Sequence, residues 1–188
     1  MTIQAIETAY RGRRFRSRIE ARWAVFFDAL GIEWEYEKEG YDLGGTRYLP
    51  DFWLPGLRFW VEIKGEHPSE DESVKARLLA EATKRPVYVF FGGMDLPEDF
   101  WGPSGTDSAY VFSPGFPPDC FDICYRWTEC PECHALGIQF EARSDRLDNH
   151  LDDCPRATSR EDAGHNGDSP RLIAAYTAAL GARFEQTG

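Results

Sequence analysis

Apolar residues recur at helical spacing through Ile19, Trp23, Phe26, Phe27 and Leu30, with Ser17 before them and Gly31 after. This spacing predicts a helix from Ser17 to Leu30, capped by Ser17 and stopped by Gly31. Glu20, Ala24 and Phe27 form a neighbouring stripe. Ile32 to Glu37 alternates apolar and acidic residues, as an outer strand does. Leu49 to Trp53 and Phe59 to Gly65 are aromatic and β-branched arms joined through Pro55-Gly56, which predicts a β-hairpin. On its second arm, alternation puts Trp60, Glu62 and Lys64 on one face and Phe59, Val61 and Ile63 on the other. After an acidic loop, Glu66 to Glu72, a second helix is expected from Ser73 to Lys84 with Val74, Leu78, Leu79 and Ala82 inward. The nearly all-apolar run Val87 to Phe91 reads as a central strand of a mixed sheet. Gly92 to Asp119 is a Gly, Pro, Ser and Asp border holding one short strand at Tyr110 to Phe112. Ser169 caps and Pro170 opens a last helix, with a stripe of Leu172, Tyr176, Leu180 and Phe184. That stripe needs a partner, either the rest of the chain or a second copy in a homodimer.

Helix, meander, helix, strand is an α/β order, and 188 residues suffice for one modest domain plus an appendage. The 42% hydrophobic and 14% aromatic content exclude wholesale disorder. No apolar run has the length of a membrane span and no apolar leader opens the chain, so the expectation is a cytoplasmic protein without a membrane partner. A net charge of −11 argues against coating nucleic acid by bulk electrostatics. The cations are nevertheless clustered, with Arg11, Arg13, Arg14, Arg16, Arg18 and Arg22 opposed among the first 22 residues by Glu7 and Glu20 alone. The cluster is either a local phosphate contact, with Arg13, Arg14, Arg16 and Arg18 as its candidates, or a solvated helix start.

The hairpin carries the first candidate chemistry. Glu62 and Lys64 lie inside Phe-Trp-Val-Glu-Ile-Lys-Gly, and charges in so apolar a strand persist only when paired or bound to metal. Asp51 and Glu62 are hard oxygen ligands suited to Mg2+, and Lys64 can orient or activate a water beside them. The bland alternative is a turn at Pro50-Asp51 and a solvated Glu62–Lys64 pair. Glu20 has two readings as well, because Ser17-x-x-Glu20 is also a capping box in which the glutamate returns to the Ser17 amide.

Pro50-Asp51, ten intervening residues and then Glu62-Ile63-Lys64, with Glu20 on the preceding helix, resembles the signature of the PD-(D/E)XK nuclease superfamily. The resemblance covers roughly residues 15 to 92. It implies a restriction-endonuclease-like mixed sheet flanked by helices, with Mg2+ or Mn2+ held by Asp51, Glu62 and the Ile63 carbonyl. Glu20 would support the ion and Lys64 would position the attacking water. The activity it implies is phosphodiester hydrolysis by an endonuclease, on DNA ahead of RNA, leaving a 5′-phosphate.

A second signal is Cys130-x-x-Cys133, then sixteen residues to His150 and three more to Cys154. Such spacing is that of a zinc site, and a closed set of four strong ligands makes it structural. Five cysteines in a cytosolic chain favour metal over disulfides. A helix starting at Ser144-Asp145 is expected to project His150 and Cys154 from one face, with Phe140 and Leu147 as a small core, in a ββα-type finger. The rival ligand set is Cys120, Cys124, Cys130 and Cys133, and His134 is the nearest substitute ligand. The expected organisation is a nuclease core at 1–126, a zinc finger at 127–156, a flexible linker at 157–170 containing a solvated His165, and a C-terminal helix at 171–188. Two non-catalytic readings remain beside the nuclease: a nucleic-acid-binding module resting on the finger and the arginines, and an assembly protein on a nuclease-like fold.

Overall fold

The computed structural model describes residues 6–97, 109–115, 122–157 and 165–184. The chain opens with a hairpin of β1 (Thr8–Tyr10) and β2 (Arg13–Phe15), followed by helix α1 (Arg18–Leu30) and strand β3 (Glu35–Tyr36). A small hairpin of β4 (Tyr41–Asp42) and β5 (Arg47–Tyr48) leads to β6 (Phe52–Leu54) and β7 (Phe59–Lys64). Helix α2 (Glu70–Thr83), strands β8 (Val87–Phe91), β9 (Ala109–Phe112), β10 (Asp122–Glu129) and β11 (Leu136–Phe140), and helix α3 (Pro170–Gly181) complete the order. Seven strands form one mixed sheet in the order β11-β10-β9-β8-β7-β6-β3. Within it β7 and β8 are parallel, joined through α2, and the other neighbours are antiparallel. The all-apolar β8 is the middle strand, as its composition predicts. Among the described residues no helix is long and apolar enough to cross a membrane.

Strand alternation makes three layers. Phe59, Val61 and Ile63 pack with α1 and α3 on one face, while Trp60, Val87 and Val89 pack with Ala76, Leu79 and Ala80 of α2 on the other. Ser17 caps α1 by accepting from the Glu20 amide, and Gly31 ends it at φ 71°, a left-handed position that glycine takes freely. The α3 stripe packs back on the molecule. Tyr176 lies 4.5 Å ring to ring from Phe26, and Arg171 Nη2 donates to the Leu30 carbonyl at 2.6 Å, satisfying an open end of α1.

Several expectations are corrected. Helix α2 begins at Glu70 rather than Ser73, because Ser69 and Glu72 form a reciprocal capping box and the acidic run supplies the first turn. Its buried stripe is accordingly Ala76, Leu79 and Ala80, with Leu78 37% exposed and Ala82 outward. The helix expected from Ser144 is absent. Ser144–Arg146 and Pro155–Ala157 are single 3-10 turns, and Asp148-Asn149 with the double acid Asp152-Asp153 favours turns over a continuous helix. The segment is therefore a β10-β11 hairpin with a turn-rich flap, not a ββα finger. Strand β10 runs through the boundary expected at 126/127 and joins the finger residues to the main sheet. Part of the expected linker is tied down: Asn166 donates to the Ala142 carbonyl at 3.0 Å and accepts from the Glu129 amide at 3.2 Å. His165, an exposed residue as expected, is also held by Nδ1 to the Glu141 carbonyl at 2.6 Å. Helix α3 ends at Gly181 rather than 188.

Candidate functional site

The β6-β7 hairpin brings two carboxylates together through its own main chain. Antiparallel register sets Phe52 opposite Val61 and Trp53 opposite Trp60. Asp51 and Glu62 are thereby placed to interlock: the Asp51 amide donates to Glu62 Oε1 at 3.1 Å and the Ile63 amide donates to Asp51 Oδ2 at 2.8 Å. Both side chains are 1% exposed. Lys64 Nζ is 3.1 Å from Glu62 Oε2 and 3.8 Å from Glu72 at the start of α2. Four of the sequence-derived residues, Asp51, Glu62, Ile63 and Lys64, thus meet in one place. The solvated-pair alternative for Glu62 is excluded by its burial.

Glu20, 6% exposed, joins them from α1. Its Oε1 accepts from Ser17 Oγ at 2.7 Å, while Oε2 accepts from Tyr36 Oη at 2.5 Å and the Arg16 amide at 3.2 Å. The carboxylate bonds the amide one residue before the one that a capping box uses, so it serves the helix start and the acid cluster together. Arg16 completes the group. Its Nη2 donates to Asp51 Oδ1 and its Nε lies 2.9 Å from Glu37. The remaining candidate arginines sit outside the cluster: Arg13 lies 5.7 Å over the Trp34 ring, Arg14 faces Glu7 at 3.8 Å, and Arg18 opens α1 in an exposed position.

The electrostatics are those of crowded acids. Burial first, then the Glu62 carboxylate, push Asp51 well above the ordinary carboxylate range, with Glu20 adding and Lys64 and the Ile63 amide opposing. Burial works against the Lys64 ammonium, but Glu62 and Asp51 outweigh it and hold the lysine protonated above its usual range. Tyr48 of the β4-β5 hairpin is held neutral by burial and by Glu62, to which it hydrogen-bonds. The spacing of the sequence gives no sign of Arg16, Tyr36, Tyr48, Glu37 or Glu72 as neighbours of the hairpin. The readable clue was Gly44-Gly45, a hairpin turn that brings Tyr48 back to the site.

The second centre gathers Cys130, Cys133, His150 and Cys154, whose ligand atoms all lie within 4.8 Å of one another. Cys130 and Cys154 sulfurs are 3.8 Å apart, and a tetrahedral ion with zinc-sulfur bonds of about 2.3 Å requires roughly that separation. His150 turns Nδ1 to the Cys133 sulfur at 3.3 Å, while Nε2 lies 2.8 Å from the Ser144 carbonyl. An Nε2–H···O bond there leaves the Nδ1 lone pair for a metal. Backbone amides of Glu132 and Cys133 donate to the Cys130 sulfur, and those of Leu151 and Ala135 to the Cys133 sulfur. Burial opposes it, but the His150 bond and those amides hold the Cys133 thiol down at about 6. This Cys3His group can hold a metal such as zinc. Cys124 is exposed, at φ 69° in a bulge of β10, and is not among the four; Cys120 lies outside the described residues. His134 turns to Glu129 at 3.2 Å instead.

Comparison with protein-family models, with curated proteins and with solved structures gave no match.

Proposed function

We propose that the chain is a divalent-metal-dependent nuclease with a PD-(D/E)XK site on a restriction-endonuclease-like core, hydrolysing phosphodiester bonds of DNA. The observation that carries this reading is the interlocked pair Asp51 and Glu62, both buried, with Lys64 Nζ 3.1 Å away. The donor set suits Mg2+ or Mn2+: two hard carboxylates with an excess of negative charge and, on Asp51, Arg16 on Oδ1 and the Ile63 amide on Oδ2, which leaves lone pairs for an ion. Asp51, Glu62 and the Ile63 carbonyl would hold that ion, with Glu20 supporting it. A divalent ion so held lowers the pKa of bound water and neutralises charge on phosphoryl oxygens. Lys64, protonated and half-sunk beside Glu62, orients a water and offers positive charge to the phosphate. The burial of Asp51 and Glu62 restricts bulk water around these groups, which strengthens each charge interaction. By the resemblance, cutting is endonucleolytic and leaves a 5′-phosphate. The Cys3His centre, with four ligands and no open position, is structural and takes zinc.

A second reading rests on a specific observation. Arg16 already pairs Asp51 and Lys64 already pairs Glu62, so each acid has a cation from the chain itself. A non-catalytic nucleic-acid-binding or assembly protein on this fold is consistent with that pairing. Incubation with linear, circular, single-stranded and branched DNA in Mg2+ or Mn2+, with EDTA as control, separates the two. Metal-dependent cleavage supports the nuclease, and intact substrates throughout support the second reading.

A further inference from the structure

Arg11 pairs with Asp28 and Arg14 with Glu7, but Arg16 is the arginine of the N-terminal cluster whose partners are Glu20, Glu37 and Asp51 at the hairpin site. Its side chain is 53% exposed, while the Asp51 carboxylate that it holds is 1% exposed. The guanidinium therefore spans the rim of the site, with Nη2 on Asp51 Oδ1, Nε 2.9 Å from Glu37 and 4.0 Å from Glu20. The Tyr36 hydroxyl also meets this side chain. The residue's amide is anchored separately, to Tyr36 Oη at 3.1 Å and Glu20 Oε2 at 3.2 Å, so the long side chain can move while its root stays fixed.

Asp51 has little room for two cations. Oδ2 takes the Ile63 amide and Oδ1 takes Arg16, so an ion binding Asp51 shares or replaces the guanidinium's oxygen. Around the site five carboxylates, Glu20, Glu37, Asp51, Glu62 and Glu72, face Arg16 and Lys64, with Lys75 acting on Glu72 from α2. An anionic strand enters such a field only if positive charge is added and turned toward it. A divalent ion adds the charge and repels Arg16 from Asp51, and the planar fork of the guanidinium is matched to phosphate oxygens.

We propose that Arg16 is the phosphate-binding residue of this site, and that its hold on Asp51 is exchanged for the phosphate of a nucleic-acid strand when a divalent cation occupies Asp51 and Glu62. The proposal rests on the nuclease reading above. It makes Arg16 a competitor of the metal in the absence of nucleic acid and its collaborator in the presence of it.

The test uses the zinc-loaded full chain in two titrations. In the first, Mn2+ is added without nucleic acid and followed by calorimetry, with Asp51→Asn in parallel so that only Asp51-dependent binding is counted. Arg16→Gln is expected to bind Mn2+ roughly five- to tenfold more tightly than the native chain, having lost the competing ion pair. In the second, a labelled DNA oligonucleotide is bound in Ca2+, and Arg16→Gln is expected to bind it about tenfold more weakly, the loss of one charge-assisted contact. Mn2+ binding that is unchanged or weaker in Arg16→Gln overturns the exchange. Weaker binding of both ligands with a lowered melting temperature makes Arg16 a structural brace and also overturns it. Should Arg16→Gln not fold, Arg16→Lys is read in the same way: it keeps the charge but loses the fork, so DNA affinity should fall several-fold, and an unchanged DNA affinity overturns the proposal. Absence of Asp51-dependent Mn2+ binding in the native chain would instead remove the nuclease reading beneath it.

Discussion

At the scale of single residues, the acids of the site work against the fold that holds them. Asp51 and Glu62 are buried side by side, and burial and mutual repulsion raise the Asp51 pKa well above its unfolded value. A group whose pKa is raised by folding favours the native state below its unfolded pKa, and that contribution is lost as pH rises through the folded value. At neutral pH a charged Asp51 is therefore a cost. Asp51→Asn should raise the melting temperature, by about 2–4 °C for each kcal/mol relieved, while eliminating cleavage. A lower melting temperature in a thermal scan at pH 7 would show instead that the pairing with Arg16 outweighs the repulsion. Glu20→Gln removes a charge and keeps the bond to Ser17 but gives up acceptance from Tyr36 Oη and the Arg16 amide, so cleavage should be lost while the melting temperature falls by only a few degrees. Equal cleavage with reduced stability would leave Glu20 as a helix-start residue only. Asp51, Glu62 and Lys64 were legible in the sequence because charges interrupt an apolar strand. Arg16 was legible only as one of four candidate phosphate contacts, not as a partner of Asp51, and Tyr36 and Tyr48 reach the site from other elements, with the Gly44-Gly45 turn as the one local sign of Tyr48.

At the scale of elements, local rules succeeded where one periodicity dominates. Helix α1, the β6-β7 hairpin and the central β8 follow from capping, turn chemistry and apolar runs. The short β1-β2 and β4-β5 hairpins were hidden, since two or three residues per strand carry no readable alternation. Their turns, Arg11-Gly12 and Gly44-Gly45, were the available signal. Helix α2 was started too late because its acidic first turn looks like a loop, although Ser69-x-x-Glu72 is a capping box. Ser69→Ala should cost about 1 kcal/mol, read as a lowered denaturation midpoint with an unchanged denaturant slope. Glu72 has its pKa lowered: burial opposes, but the Ser69 amide and hydroxyl and the Lys64 and Lys75 charges prevail. Its contribution is thus present above the unfolded carboxylate value and lost as pH falls through the folded one. The Ser69→Ala difference should accordingly shrink in acid, and a difference constant from pH 7 to pH 3 would contradict the capping account.

At the scale of the whole molecule, the Cys3His centre is not a separate bead on the chain. Strands β10 and β11 extend the seven-stranded sheet, and Trp127, Leu136 and Ile138 belong to the same core as α1 and α3. The ligand set was legible from spacing, but the shared core was not, because a strand added to a sheet edge looks locally like a strand of a small finger. The purified chain should carry about one zinc per molecule. Cys133→Ser should lower the melting temperature of the entire chain in one transition, since a structural metal contributes to folding directly. Two well-separated calorimetric transitions would show an autonomous finger. The central claim is that Asp51, Glu62 and Lys64 form a metal-dependent phosphodiesterase. Its most direct test is cleavage of covalently closed circular DNA by the native chain, Asp51→Asn and Lys64→Met in Mg2+ or Mn2+, with folding checked by melting. The account predicts nicked or linear products with 5′-phosphate ends from the native chain alone. Products of equal yield from either variant, or none from the native chain on any DNA form, would contradict it.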